Sequence, residues 1–284
     1  MRFEKWQALG NDYLIFEEVE LSPNTVQRLC DPHFGPGADG VLVLTKPDEP
    51  GYVARLRIFN PDGSEAELSG NGAREAILYL RRHWTDADTF SIQTLAGEIR
   101  PTILSPTTCR VDMGRASLTS PNYPDGPPDG TGEVAGYRFQ HVAIGNPQCA
   151  IRVQDPDALD LQAIGPQIER SALFPNRTNV SFWKEVAPDT IRARIFERGV
   201  GETLSSGTGA SGAAVAHVVR GGDSPVTVQL DGGELVVDVD ESLHVDLTGW
   251  AEPIYAAQLS EEFLAGGLGG GSPPEDLKQH MEAE

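Results

Sequence analysis

Two serines sit at matched places in a motif that the chain carries twice. One copy runs Arg55-Leu-Arg-Ile-Phe-Asn-Pro-Asp-Gly-Ser-Glu-Ala-Glu-Leu-Ser69-Gly70-Asn71-Gly72-Ala73. The other runs Arg192-Ala-Arg-Ile-Phe-Glu-Arg-Gly-Val-Gly-Glu-Thr-Leu-Ser-Ser206-Gly207-Thr208-Gly209-Ala210. They align without a gap at an offset of 137 residues. Identical pairs include Arg57/Arg194, Phe59/Phe196, Glu65/Glu202, Ser69/Ser206, Gly70/Gly207 and Gly72/Gly209. A duplicated half that brings a small polar residue to the start of a helix twice suits chemistry on two faces of one carbon.

A strand, a Gly-rich turn and a helix make a site for an anion. Glycine lets backbone approach a ligand closely. The first N–H groups of a helix lack partners within it, and the dipole favours negative charge there. Gly70-Asn71-Gly72 and Gly207-Thr208-Gly209 fit that role for a carboxylate or phosphate. One copy alone reads as a structural turn with a serine N-cap. Two copies at equivalent points favour a ligand site.

The elements that position these groups read as strands with few helices. Arg2–Ala8 and Asp12–Glu17 form a strand pair around Gly10-Asn11, a turn-type dipeptide. Pro23–Cys30 is a short helix, and Gly40–Leu44 and Val53–Phe59 are strands. Ala73–Arg82 has helical spacing, with Ala76, Ile77 and Leu80 on one side. Strands follow at Thr89–Gln93, Glu98–Ile103 and Thr108–Met113. The second half repeats this grammar, with a helix at Leu159–Ile168 and another from Ala210 to about Val219. Residues 119–133, dense in Pro, Gly and Asp, read as a linker. The expected domains are 1–118 plus about 253–264, and 119–252. The Gly- and Pro-rich residues 265–284 are expected to be a flexible tail.

Bulk properties bound the partners. A chain of 284 residues can bury a substantial core. The net charge of −20 argues against nucleic acid or an anionic membrane surface as partner. No apolar run approaches a membrane span, and the N-terminus reads directly into a strand, so a cytoplasmic location is expected. Cys30, Cys109 and Cys149 suggest neither a disulfide framework nor a zinc site and read as buried thiols. Cys149 lies close to Asn146-Pro147 and is the cysteine to watch.

Together these stretches are similar to a known family. The chain resembles the diaminopimelate epimerases over roughly residues 2 to 260, through Ala8-Leu9-Gly10-Asn11-Asp12, Gly35-Pro-Gly-Ala-Asp39-Gly40, Gly70-Asn71-Gly72-Ala73-Arg74, Gly145-Asn146-Pro147, Asn179-Val180, Phe196-Glu197-Arg198-Gly199 and both motif copies. The resemblance implies an α/β (α+β) fold of two pseudo-symmetric domains. Each is a curved, mainly antiparallel sheet around a central helix, with the substrate between them. It implies cofactor-independent interconversion of LL- and meso-2,6-diaminopimelate, a homodimer, and a small diamino dicarboxylic acid as the ligand, with no metal, pyridoxal phosphate or nucleotide. Asn11, Asn60, Asn146, Asn179 and Arg198 would hold the distal end of the substrate, and Glu197 its distal amino group. Gly70, Asn71, Gly207 and Thr208 would bind the reacting carboxylate.

The chain departs from the family's pattern at its chemical centre. The acid/base positions, cysteine in the family, are Ser69 and Ser206. The residue after Asn-Pro, usually histidine, is Gln148. A free thiol ionises near pH ~8.5, an alkyl hydroxyl far less readily, and each pKa unit costs about 1.4 kcal/mol. A helix dipole supplies only about 0.3–2 kcal/mol. A catalytic serine therefore needs a neighbouring base, and the motif itself offers no His or Lys. Three readings stay open: an epimerase whose serines are assisted by a group the fold brings in, an isomerase of a different carboxylic or amino acid, and a ligand-binding homologue with weakened catalysis.

Overall fold

The computed structural model describes residues 1–67 and 69–265. The expected tail, apart from Ala265, lies outside the described residues. The described chain is mixed α+β: two mainly antiparallel sheets, each packed on one central helix. The first sheet runs, in spatial order, Glu252–Gln258, Arg2–Ala8, Asn11–Glu17, Gly40–Thr45, Ala54–Phe59, Ile92–Thr94 and Gly97–Ile99. The short strand Glu65–Ala66 is attached to Ala54–Phe59. The second sheet begins Thr131–Val134, Tyr137–Ile144, Asn146–Arg152, Asn179–Ala187 and Thr190–Glu197. It continues Val226–Leu230, Gly233–Val239, His244–Trp250, Thr108–Arg115 and Pro101–Ser105, with Gly201–Thr203 attached to Thr190–Glu197.

The duplication is visible in strand pairing. In each sheet the strand that opens with the key asparagine, Asn11–Glu17 or Asn146–Arg152, pairs antiparallel with the strand before it and parallel with the strand after it. In each, the motif strand pairs parallel with the strand that follows the central helix. Gly10 and Gly145, which precede the two asparagines, both have positive φ, 81° and 69°. That backbone suits glycine.

Sheet membership does not follow the expected division at residue 118. Pro101–Ser105 and Thr108–Arg115 pair with each other and, through Thr108–Arg115, with His244–Trp250 of the second sheet. The first sheet ends at Ile99 and takes back Glu252–Gln258 against Arg2–Ala8. The 119–133 segment is likewise more than a linker. Its end enters the strand Thr131–Val134, a hairpin with Tyr137–Ile144 closed around Ala135-Gly136, both at positive φ. The helix expected at Leu159–Ile168 runs Leu161–Glu169 and follows a separate 3₁₀ turn, Pro156–Ala158, each capped by an aspartate.

The central helices are Gly70–His83 and Gly207–Val218. Both start three residues earlier than their apolar spacing suggests, because the Gly-rich triplets form the first helical turn and do not precede it. Ser69 and Ser206 are the N-caps, and their hydroxyls accept the N–H of Gly72 and Gly209. Arg81, Arg82 and His83 end the first helix, where positive charge suits the dipole. Asn71 to Leu80 are buried without interruption, and so are Gly209 to His217. A helix buried on every side is the axis of a core, not a surface element. One apolar cluster accordingly joins Ala76, Ile77 and Leu80 of the first helix to Ala210, Ala213 and Ala214 of the second.

Candidate active site

The repeated Arg–Glu pair explains how each serine reaches its place. Arg57 grips Glu65 through two bonds, Nε to Oε1 at 2.9 Å and Nη2 to Oε2 at 3.0 Å. Arg194 grips Glu202 at a single oxygen, Oε1, with Nε at 3.0 Å and a second bond from Nη2. Each pair fastens a short strand to the motif strand just before the chain turns into the helix. Forked guanidinium–carboxylate bonds fix direction as well as distance.

The two helix N-termini meet. A Cβ built on Gly70 would stand 3.5 Å from the Gly207 Cα, and one on Gly207 would stand 3.6 Å from the Gly70 Cα. Asn71 spans the junction: its Nδ2 donates to Ser205 Oγ at 2.8 Å. Arg74, fully buried, donates from Nη2 to Asn71 Oδ1 at 2.5 Å and from Nη1 to the Gly70 carbonyl at 3.1 Å. Ser69 and Ser206 thus stand at two facing caps, with helix N–H groups between them.

Each serine has one further neighbour, and the two differ. Tyr13 donates its O–H to Ser69 Oγ at 3.0 Å. Burial pushes the Tyr13 phenol well above its ordinary range, so it is protonated at rest. The ionisable group electrostatically coupled to Ser206 is Glu197. Burial raises the Glu197 pKa, and the Ser206 hydroxyl opposes that rise by favouring the charged form. A carboxyl moved toward neutrality beside a hydroxyl is what a general base requires.

The remaining expected residues fall in two groups. Near the second helix, Asn146 donates to Thr208 Oγ1 at 3.2 Å and accepts from Gln148 Nε2 at 2.5 Å. Asn179 is buried; it donates to the Pro147 carbonyl at 3.3 Å and accepts the Arg198 N–H at 2.8 Å. It therefore ties the Asn146-Pro147 strand start to the Glu197-Arg198 turn. The Arg198 guanidinium bonds the Asn176 carbonyl at 3.0 Å. On the first side, Asn11 donates to Asp39 Oδ2 at 2.9 Å and Asn60 to Ser64 Oγ at 3.0 Å. Asn60 is exposed and holds its own loop.

Other reactive side chains are engaged elsewhere. All three cysteines are buried: burial pushes Cys30 up to about 11, Cys109 to about 12 and Cys149 well above its ordinary value. His217 lies 2.7 Å from the Pro188 carbonyl, and His141 lies 2.9 Å from Ser120 Oγ. Among the described residues, one group has donor atoms close enough for a metal ion. Asp112, His244 and Asp246 offer atoms within 4.8 Å of one another. Asp246 points to the face of its strand opposite Leu247, whose side chain touches Gly207, so this group lies away from the serines.

Sequence reasoning did not single out Tyr13, Ser205 or Glu75. Tyr13 is two residues beyond Asn11 on the same strand and so shares its face, a period-two signal that was available. Glu75 is completely buried and neither carboxyl oxygen has a hydrogen-bond partner. Burial raises its pKa well above the ordinary carboxyl range.

Two similar halves thus bring serine-capped helix N-termini to one junction. Solved structures carry the fold. A probable proline racemase from Agrobacterium radiobacter K84 superimposes with a TM-score of 0.67 at 15% identity, covering 94% of this chain and 96% of that one. A hydroxyproline epimerase from Agrobacterium vitis gives 0.66 at 14% identity, covering 92% of each chain. Sequence narrows the class further. The profile of the diaminopimelate epimerase family matches residues 3–119 and 141–251. The diaminopimelate epimerase of Pelotomaculum thermopropionicum is 42% identical, covering 91% of this chain and 98% of its own length. That of Picosynechococcus sp. is 39% identical, covering 92% and 99%. The chain belongs to the diaminopimelate epimerase family.

Proposed function

We propose that this protein interconverts LL- and meso-2,6-diaminopimelate by removing a proton from one face of an α-carbon and returning one on the other. The observation that carries the reading is the pair of facing serine caps, with the Tyr13 hydroxyl bonded to Ser69. The reacting carboxylate lies between Gly70-Asn71 and Gly207-Thr208. The helix N–H groups there neutralise it and stabilise charge as the α-proton leaves. Ser69 and Ser206 are the groups nearest the α-carbon. Glu197 takes up the proton that Ser206 receives, which removes the need for a free alkoxide. Asn11, Asn60, Asn146, Asn179 and Arg198 surround the distal end. The halves open to admit substrate and close to exclude water. The reaction runs on protein side chains alone, in a cytoplasmic homodimer.

The test is proton exchange by NMR: purified protein with LL-diaminopimelate in deuterated buffer, beside the double variant Ser69→Cys/Ser206→Cys. Loss of the α-proton signal with the unmodified protein is the expected result. Exchange in the double variant alone would leave a diaminopimelate-binding protein with a disabled acid/base pair. Silence in both would reject diaminopimelate and turn the search to another acid.

A further inference from the structure

The two serines differ in what their oxygen atoms can still do. Ser69 Oγ accepts the Gly72 N–H at 3.1 Å and the Tyr13 O–H at 3.0 Å. A hydroxyl has two acceptor lone pairs and one hydrogen. With both lone pairs engaged, the remaining capacity of Ser69 is to donate. Ser206 Oγ accepts the Gly209 N–H at 3.2 Å, and its other neighbour, Glu197, is an acceptor when ionised. No tyrosine stands at the matching place of the second half, where the third strand residue is Gln148 and bonds Asn146.

Tyr13 occupies a slot shaped for its ring. A Cβ at Gly40 would come 2.4 Å from Tyr13 Cε1, and one at Gly72 would come 3.3 Å from Cε2 and Cζ. Two glycines on opposite sides leave room for the ring and hold the phenol at Ser69. The ring is 6% exposed.

We propose that Tyr13 is a positioning residue and proton donor for Ser69, so that the first face is wired to give a proton and the second to take one. This rests on the reading above, in which Ser69 and Ser206 flank the reacting α-carbon. On the second face the Cα–H bond breaks. Its proton passes to Ser206 Oγ as the Ser206 proton passes to the Glu197 carboxylate, and the electron pair left on carbon delocalises into the substrate carboxylate. On the first face a new Cα–H bond forms with the Ser69 proton, and the Tyr13 proton follows onto Ser69 Oγ. The phenolate and the carboxylic acid left behind return to their starting forms by exchange with water when the halves open. The reverse reaction retraces these steps.

The test separates proton removal from proton return. A 3-fluoro analogue of diaminopimelate expels fluoride once its α-proton is gone, so fluoride release needs only the removing face. Epimerisation of diaminopimelate needs both. In Tyr13→Phe, epimerisation is expected to fall at least tenfold with KM changed less than twofold. Fluoride release is expected to persist within about threefold for the isomer whose proton faces Ser206. Ser69→Ala, which keeps the tyrosine, should give the same split, and Ser206→Ala should lose both reactions for that isomer. Parallel loss of both reactions in Tyr13→Phe and Ser69→Ala, or no loss in either variant, would overturn the assignment alone. Silence of the unmodified protein in both assays would remove the epimerase reading and this assignment with it.

Discussion

The two halves share a backbone plan and differ in which strand supplies the serine's companion. Tyr13 is the third residue of the strand Asn11–Glu17, and it reaches Ser69. The third residue of the matching strand Asn146–Arg152 is Gln148, which turns to Asn146 instead. In the second half the companion comes from the end of the motif strand, Glu197. The residue aligned with it in the first half is Asn60, which is exposed and bonded to Ser64. Duplication has therefore preserved the position of each serine and exchanged the polarity of its surroundings. One cap faces a protonated phenol and the other a carboxyl. An enzyme that removes a proton on one side and supplies one on the other has use for that asymmetry.

The largest expected effect tests the acidic side. Glu197→Gln keeps the shape of the side chain and removes its basicity. Turnover is expected to fall at least ~100-fold, the scale on which a general base operates. If Glu197 acts through Ser206, its value depends on the hydroxyl being a poor base. In a Ser206→Cys background, where a thiol ionises far more readily, the same substitution should cost less than about tenfold. Steady-state kinetics on the four proteins closes the cycle. Equal losses in both backgrounds would mean that Glu197 holds the substrate rather than a proton.

How much of this was legible beforehand follows from the range of the interactions involved. The duplicated motif, both serine caps and most strands are local features, carried by alternation, glycine and a capping residue within one stretch of chain. The helix starts were misplaced by one turn because glycine is a poor helix former and Gly70-Asn71-Gly72 looks like a turn. Here the cap and the surrounding core override that preference. The placement of Pro101–Ser105 and Thr108–Arg115 in the second sheet depends on a partner strand more than a hundred residues away. Nothing in their own residues records it. Tyr13 is alike in this respect: it bonds a serine in a different element, so only the fold reveals what it touches.

A middle-sized effect concerns the two Arg–Glu pairs, which look alike in sequence. Glu65→Gln and Glu202→Gln should each destabilise the protein by about 1.5–3 kcal/mol, the range for a hydrogen bond to a charged group. The losses should not be equal. Arg194 has 16% of its side chain exposed, against 23% for Arg57, and also bonds the carbonyls of Pro156 and Leu159 at 2.9 Å. Its remaining carboxylate neighbour, Asp231, is 30% exposed, whereas the second partner of Arg57, Glu20, is 85% exposed. Removing Glu202 therefore strands a guanidinium with less access to water. Urea denaturation of both variants should rank Glu202→Gln as the more damaging. The reverse order would show that burial does not decide between the copies.

The smallest effect is a matter of pH. Glu75 in the first central helix aligns with Gly212 in the second, so one helix carries a buried carboxyl where the other carries no side chain. Gly212 lies against Gln148, the counterpart of Tyr13. Burial raises the Glu75 pKa well above 4.5, so the folded chain keeps this proton in a pH range where the unfolded chain releases it. Stability associated with the neutral form is full below pH ~4.5 and is lost as pH rises toward the folded value. Glu75→Gln removes the ionisation and keeps the volume. The variant should melt with the unmodified protein near pH 4 and about 2–4 °C above it near pH 8, the shift that about 1 kcal/mol produces in a chain of this size. A Tm difference that stays constant between those pH values would mean that Glu75 is ionised in the folded protein. Its charge would then have to be met by Arg74, the neighbouring buried cation, and the first helix would differ from the second by an ion pair rather than by a neutral acid.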